Sequence, residues 1–254
     1  EVARQQIDPK RGGLLVIDEV QKVPHWSNMI KALWDRDSRD GVNLQVLLTS
    51  SSPWHAADLA GRFEIIPVTH WSYGEMAESF DWSLDYHLYF GGYPGSAQHG
   101  NQISFIHDAV VEIALSRDIL LMTQVNKPAL LRRIFQFACL YSGQILSYNK
   151  MVGQLQDAGN TTTVAHYLEL LAGAGLVCGI EKFAMQKVRS RASSPKLMVL
   201  NTALFTAQAA KSYQEARGDP VFWGRLVESA VGAHLLNGIR GTPIELFYWR
   251  EGQE

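Results

Sequence analysis

Nowhere in the 254 residues does the pattern G-x-x-x-x-G-K-S/T occur. The loop that would wrap the β- and γ-phosphates of a nucleotide in backbone amides and a lysine therefore has no counterpart in this stretch of chain. Cysteine is nearly absent. Cys139 and Cys178 stand alone without C-x-x-C spacing, which excludes a disulfide framework and reads as two buried, reduced thiols. No apolar run approaches the roughly 20 residues that span a bilayer, so no membrane partner is expected. Residues 1–11 are too polar for a signal peptide, and the expected compartment is the cytoplasm. Excess charge is missing as well: a net charge of −2 and a pI near 6.5 give no global pull toward nucleic acid or anionic lipid. The eight histidines lie scattered without metal-ligand spacing, and no G-x-S-x-G elbow is present.

What remains is an ordinary globular composition, 46% apolar and 19% charged, long enough for one large domain or two to three small ones. Both ends read as interrupted. Residue 1 is Glu with an apolar strand almost at once, and residues 247–254 read as a strand that enters a Gly turn and stops.

The run Leu14-Leu15-Val16-Ile17-Asp18-Glu19 carries the sharpest chemical signal. A buried parallel strand that delivers Asp-Glu at its carboxyl end can place one acid on Mg²⁺ and the next beside an attacking water. Asp18 is thus a metal-ligand candidate and Glu19 a catalytic base; the competing reading is a pair of acids capping the following helix. A second apolar run, Leu44 to Leu48, ends in Thr49-Ser50-Ser51, where a hydroxyl could sense a γ-phosphate or merely close a turn. Arg62 stands between a probable helix and a third expected strand, Phe63 to Val68. It is either a finger-like cation for phosphate charge or a surface arginine.

Helical spacing predicts a helix over 26–34 that presents Trp26, Met29, Ile30, Leu33 and Trp34 on one face. Strand, helix, strand, loop, strand is the alternation of a parallel sheet with crossovers. The cluster Phe90-Gly91-Gly92-Tyr93-Pro94-Gly95 then marks a turn, and residues 103–122 keep a helical period. Helices follow from Lys127-Pro128, over 148–157, and from the Asn160-Thr161 cap to Ala174, then a strand over 176–180. That is the order of a winged helix. Strands over 197–200 and 244–249 flank a helix around 225–236. Lys182, Lys187, Arg189, Arg191 and Lys196 form a basic stretch without an acid. It could track a DNA backbone or stay a solvated loop.

Taken together, LLVIDEVQKVPHW, LLTSSSP, LAGRFEIIPVTHWSYGEM, FGGYPG, SRDIL and SSPKLMVLNTALF resemble the prokaryotic AAA-superfamily P-loop ATPases that carry a C-terminal domain of unknown function, DUF4143. The resemblance implies an α/β fold: a partial parallel-sheet ATPase core over 1–80, a helical connector over 81–126, a winged-helix domain over 127–185 and a partial α+β, restriction-endonuclease-like piece over 186–254. It matches Asp18-Glu19 to the Walker B acids, Thr49, Ser50 and Ser51 to the sensor strand end, and Arg62 to the family's Gly-Arg. ATP and Mg²⁺ are the implied cofactors, with DNA through the Lys187–Lys196 segment and a homo-oligomer as further partners. Without its phosphate loop the stretch is expected to be inactive as it stands. The alternative is a DNA-binding or protein-interaction module on a vestigial ATPase scaffold. Asn201 stands where relatives commonly have Asp, and Glu228 alone does not make a nuclease.

Overall fold

The computed structural model describes residues 2–8, 10–50, 61–122, 125–155, 159–184 and 193–250. The chain forms two compact units, Glu1–Ile65 and Ile66–Glu254.

In the first unit Asp8 organises the lead-in. Its carboxylate accepts from the N–H groups of Lys10 (2.8 Å) and Arg11 (3.2 Å), and its carbonyl accepts from Gly12 N–H at 2.8 Å. Gly12 has φ +76°, and a Cβ there would stand 2.6 Å from Asn43 Nδ2, so glycine is needed. Strand β1, Gly13–Ile17, runs parallel to β2, Leu44–Leu48, with Gly13 opposite Leu44 and Ile17 opposite Leu48. Parallel neighbours need a crossover, which the helix Trp26–Asp40 supplies before Gly41 ends it at φ +67°. The helix is longer than its expected apolar face, and none of its residues is buried.

Two expectations fail here. The run Phe63 to Val68 is not a strand. Pro67 cannot donate to a ladder, and Ile65, Ile66 and Val68 are largely exposed, with no adjacent strand among the described residues. Strand β1 is also not buried on both faces: Leu14 is 64% and Val16 53% exposed. Among the described residues of this unit, Val20 is the one buried hydrophobic side chain.

The second unit is mainly helical. Its first helices, Tyr73–Phe80 and Leu84–Phe90, start at Ser72 and Ser83, whose hydroxyls accept from the N–H of Glu75 and Tyr86. The expected helix over 103–122 occupies 102–122 and contains π-helical turns at Ile106–Val111 and Ala114–Asp118. Pro128–Leu140 begins with proline in its first turn, Tyr148–Gln154 is capped by Ser147, and Thr161–Gly173 by Asn160. Strand β3, Val177–Lys182, pairs antiparallel with β4, Lys196–Val199, and parallel with β5, Phe247–Tyr248. Between β4 and β5 lie the helices Thr202–Gln208, Tyr213–Gly218 and Pro220–Ile239.

Residues from all three expected segments of this unit share one hydrophobic cluster, including Ile106, Phe135, Leu171, Leu197, Phe205 and Leu226. The helix, helix, helix, strand, strand order over 128–199 is as the sequence suggests. No helix among the described residues is long and apolar enough to cross a membrane.

Candidate functional site

The parallel register brings the carboxyl ends of β1 and β2 level, and Thr49 fastens them together. Its N–H donates to Ile17 carbonyl (3.0 Å), while its own carbonyl accepts from Val20 N–H (3.0 Å). Its hydroxyl donates to Asp18 Oδ1 and accepts from Glu19 N–H at 3.1 Å. One threonine therefore orients the Asp18 carboxylate and pins the Glu19 backbone. Asp18 is exposed and Glu19 half-buried, so a solvated ion and a water can reach them.

Glu19 has φ +55° and ψ +47°, the left-handed region that a non-glycine residue enters only at a cost. That backbone turns the chain out of the strand and into the short helix Val20–Lys22, whose first residue, Val20, is buried. The Glu19 carboxylate accepts from Gln21 Nε2 and lies 3.7 Å from Lys22 Nζ. Gln21 and Lys22 were not singled out from sequence. Their only signal was spacing, two and three residues after the acid in a turn that the apolar pattern does not mark.

The other candidates sit as follows. Ser50 is half-buried beside Thr49, and Ser51 lies outside the described residues. Arg62 is held on the Trp26–Asp40 helix: its Nε donates to Asp35 Oδ1 at 3.1 Å, and its guanidinium lies 5.7 Å from the centre of the Trp34 ring. In the basic stretch, Lys196 pairs with Glu228, which removes a cation from the expected DNA track. Lys182 donates its backbone N–H to Ser193 Oγ, and Lys187, Arg189 and Arg191 lie outside the described residues. Glu228 is thereby an ion-pair partner. No group of three or more His, Cys, Asp or Glu among the described residues could hold a metal.

These residues fit Mg²⁺ in one specific way. The ion needs hard oxygens and keeps most of its water, so one carboxylate with substrate phosphates suffices; Asp18, held by Thr49, is the residue that would supply that carboxylate. A glycine-rich, lysine-bearing cradle for the phosphates is not among residues 1–254.

Comparison with known proteins finds two families along the chain. Residues 1–77 match the family described as AAA domain, which supports an AAA-type ATPase module at the acid-bearing end. Residues 81–215 match the family described as Domain of unknown function (DUF8612), where the motif set resembled DUF4143. The chain belongs to the DUF8612 family. Two relatives, uncharacterized proteins of Mycobacterium bovis and Mycobacterium tuberculosis, are each 25% identical over 248 residues, 95% of this chain and 54% of the relative. The DUF8612 chain thus spans about half the length of the curated relatives it matches. No solved structure matches it.

Proposed function

We propose that the amino-terminal unit is the acid-bearing half of a nucleoside-triphosphate hydrolysis site, in which Asp18 holds Mg²⁺ and Glu19 orients and polarises the attacking water. The observation that carries this reading is the Thr49 hydroxyl, which bridges Asp18 Oδ1 and Glu19 N–H and so presets the Asp18 carboxylate and the Glu19 backbone before any substrate arrives. When bound, the metal neutralises charge developing on the β- and γ-phosphate oxygens. Thr49 acts through Asp18, keeping one carboxylate oxygen turned back to β2. A hydroxyl among Thr49, Ser50 and Ser51 is assigned to sensing the γ-phosphate. Arg62 becomes a cation for the reaction only by leaving Asp35, so it is assigned to stabilising phosphate charge in an assembled oligomer rather than within this arrangement.

Residues 1–254 hold no lysine-bearing loop, so turnover is measured on the full gene product. The experiment is steady-state ATP hydrolysis by that product beside its Glu19→Gln variant. A loss of about 100-fold or more is expected for a water-orienting group; equal rates would remove Glu19 from the chemistry and this reading with it.

A second reading rests on the helix, helix, helix, strand, strand order over 128–199, which favours a winged-helix module that binds DNA. The exposed side of its third helix offers His166 and Glu169, and Lys196 is already paired, so only salt-sensitive backbone contact is expected. Neutralising Lys187, Arg189 and Arg191 together should lower affinity for duplex DNA and flatten its salt dependence. No binding at low salt would dismiss this second reading.

A further inference from the structure

The carboxy-terminal unit contains a cavity of about 610 Å³ that the Asp18–Glu19 chemistry does not use. That volume is in the range of small-molecule sites. Its walls come from Thr69–Ser72, the Leu84–Phe90 helix, the turn at Leu200–Thr202 and the Pro220–Ile239 helix. All four belong to the same unit. The lining is largely apolar and aromatic, with Trp71 and Trp223 among its residues.

Two of the lining residues, Asn201 and His87, each keep a buried side-chain nitrogen without a partner among the described residues. Asn201 is 3% exposed. Its Oδ1 accepts from Gly92 N–H at 3.2 Å and Ala203 N–H at 3.1 Å, which fixes the amide orientation and leaves Nδ2 buried and unpartnered. His87 Nδ1 is likewise buried without a partner. Burial, and then the nearby His234, push the His87 imidazole down to about 4, so it is uncharged at neutral pH. The acids at the rim are already occupied: Glu75 closes a capping box with Ser72, and Asp85 pairs with Arg217 at 2.8 Å. A cationic ligand would therefore meet no spare acid, and no Lys or Arg lines the cavity for an anion, whereas a neutral ligand with one acceptor would satisfy a donor that is otherwise stranded.

We propose that this cavity binds an uncharged aromatic amide or lactam, with its carbonyl accepting from Asn201 Nδ2, its polar edge reaching His87 Nδ1 and its ring lying among the tryptophans. The FGGYPG turn serves this site. A Cβ on Gly91 would fall 1.9 Å from Asn201 Oδ1 and one on Gly92 1.9 Å from Trp71 carbonyl oxygen, so the two glycines let the backbone close on the asparagine and hold its donor in place.

The test uses the whole 254-residue chain with 2-naphthamide as probe and 2-naphthoate as its charged isostere, read by quenching of tryptophan fluorescence and by the side-chain amide signals of ¹⁵N-labelled protein. The amide should bind at least about tenfold tighter than the carboxylate, because only it avoids an unpaired buried charge. It should also shift one asparagine side-chain amide pair. Asn201→Asp keeps both accepted N–H bonds and removes the donor, so affinity should fall about tenfold. Ala230→Trp, which fills the cavity from the long helix without touching either polar group, should abolish binding. Three results would each overturn the proposal: no binding of the amide to the unaltered chain, equal binding of amide and carboxylate, or binding that survives Ala230→Trp. Equal binding would point instead to an apolar face for a partner's helix along Val227, Val231 and Leu235.

Discussion

Glu19 combines a demanding backbone with a demanding chemical position. A non-glycine residue in the left-handed region costs about 1 kcal/mol, and such strain persists where surrounding contacts enforce it. Here the Val20 and Glu19 N–H bonds to Thr49 do so. Replacing Glu19 by Gly should therefore leave the thermal midpoint of the full gene product unchanged or higher while ATP turnover disappears. A clear drop in the midpoint would mean that the side chain, not the backbone, is the stabilising element. Thr49→Val should weaken Mg²⁺-dependent nucleotide binding, measured by titration calorimetry, because Asp18 loses the bond that orients it. The stability change should be only about 1 kcal/mol, since the carboxylate is solvated.

His87 titrates near 4 in the fold and near 6.5 when unfolded. Between those values the unfolded chain binds the extra proton, so stability is present above pH 6.5 and is lost as pH falls toward 4. His70, lowered chiefly by burial, acts in the same direction. Urea unfolding at pH 7.5 and 5.5 should differ by about 1 kcal/mol after allowance for partial exposure. His87→Phe should reduce that difference, and an unchanged pH dependence would remove His87 as its source.

At the scale of elements, the decisive joints are turns. Gly91, at φ +69°, ends the Leu84–Phe90 helix with its N–H on His87 carbonyl at 2.8 Å. Gly91→Ala should cost about 3 kcal/mol or more, whereas Gly100→Ala, with nothing within 4 Å of the added methyl, should be near neutral in the same denaturation assay.

Capped helices were the most legible elements. Pro128, Asn160 and the 3.6-residue spacing of Leu130, Leu131, Ile134, Phe135 and Ala138 mark helices whose apolar face is fully buried. Ser72-Tyr73-Gly74-Glu75 and Ser212-Tyr213-Gln214-Glu215 form capping boxes in the structure. Both signatures stand in the sequence, but the helices they open are short and weakly periodic, so the apolar pattern does not announce them. The Phe63 to Val68 run misled for the opposite reason: an apolar run is a strand only if another strand offers it hydrogen bonds.

The whole molecule divides unevenly. A large common cluster holds the second unit together, while the first has one buried hydrophobic side chain among its described residues. Residues 66–254 expressed alone should unfold cooperatively, and residues 1–65 alone should give a circular dichroism spectrum without cooperative melting. A sharp transition from the short piece would contradict this division. The placement of Asp18 and Glu19 at the carboxyl end of β1 is legible from one short run because adjacent residues fix it. The cavity is not, since Trp71, His87, Asn201 and Trp223 are far apart in sequence and converge only through packing. The ion pair between Lys196 and Glu228, 32 residues apart, was hidden for the same reason.

The outward Leu14, Val16, Val46 and Leu47 on β1 and β2 also set how the material behaves in a vial. Two neighbouring strands with greasy side chains in water make a template for stacking between molecules, so shelf life should be limited by fibril seeding at the amino end. A lysine in place of Val16 should lengthen the thioflavin lag time, and it would do so without touching the acids that follow.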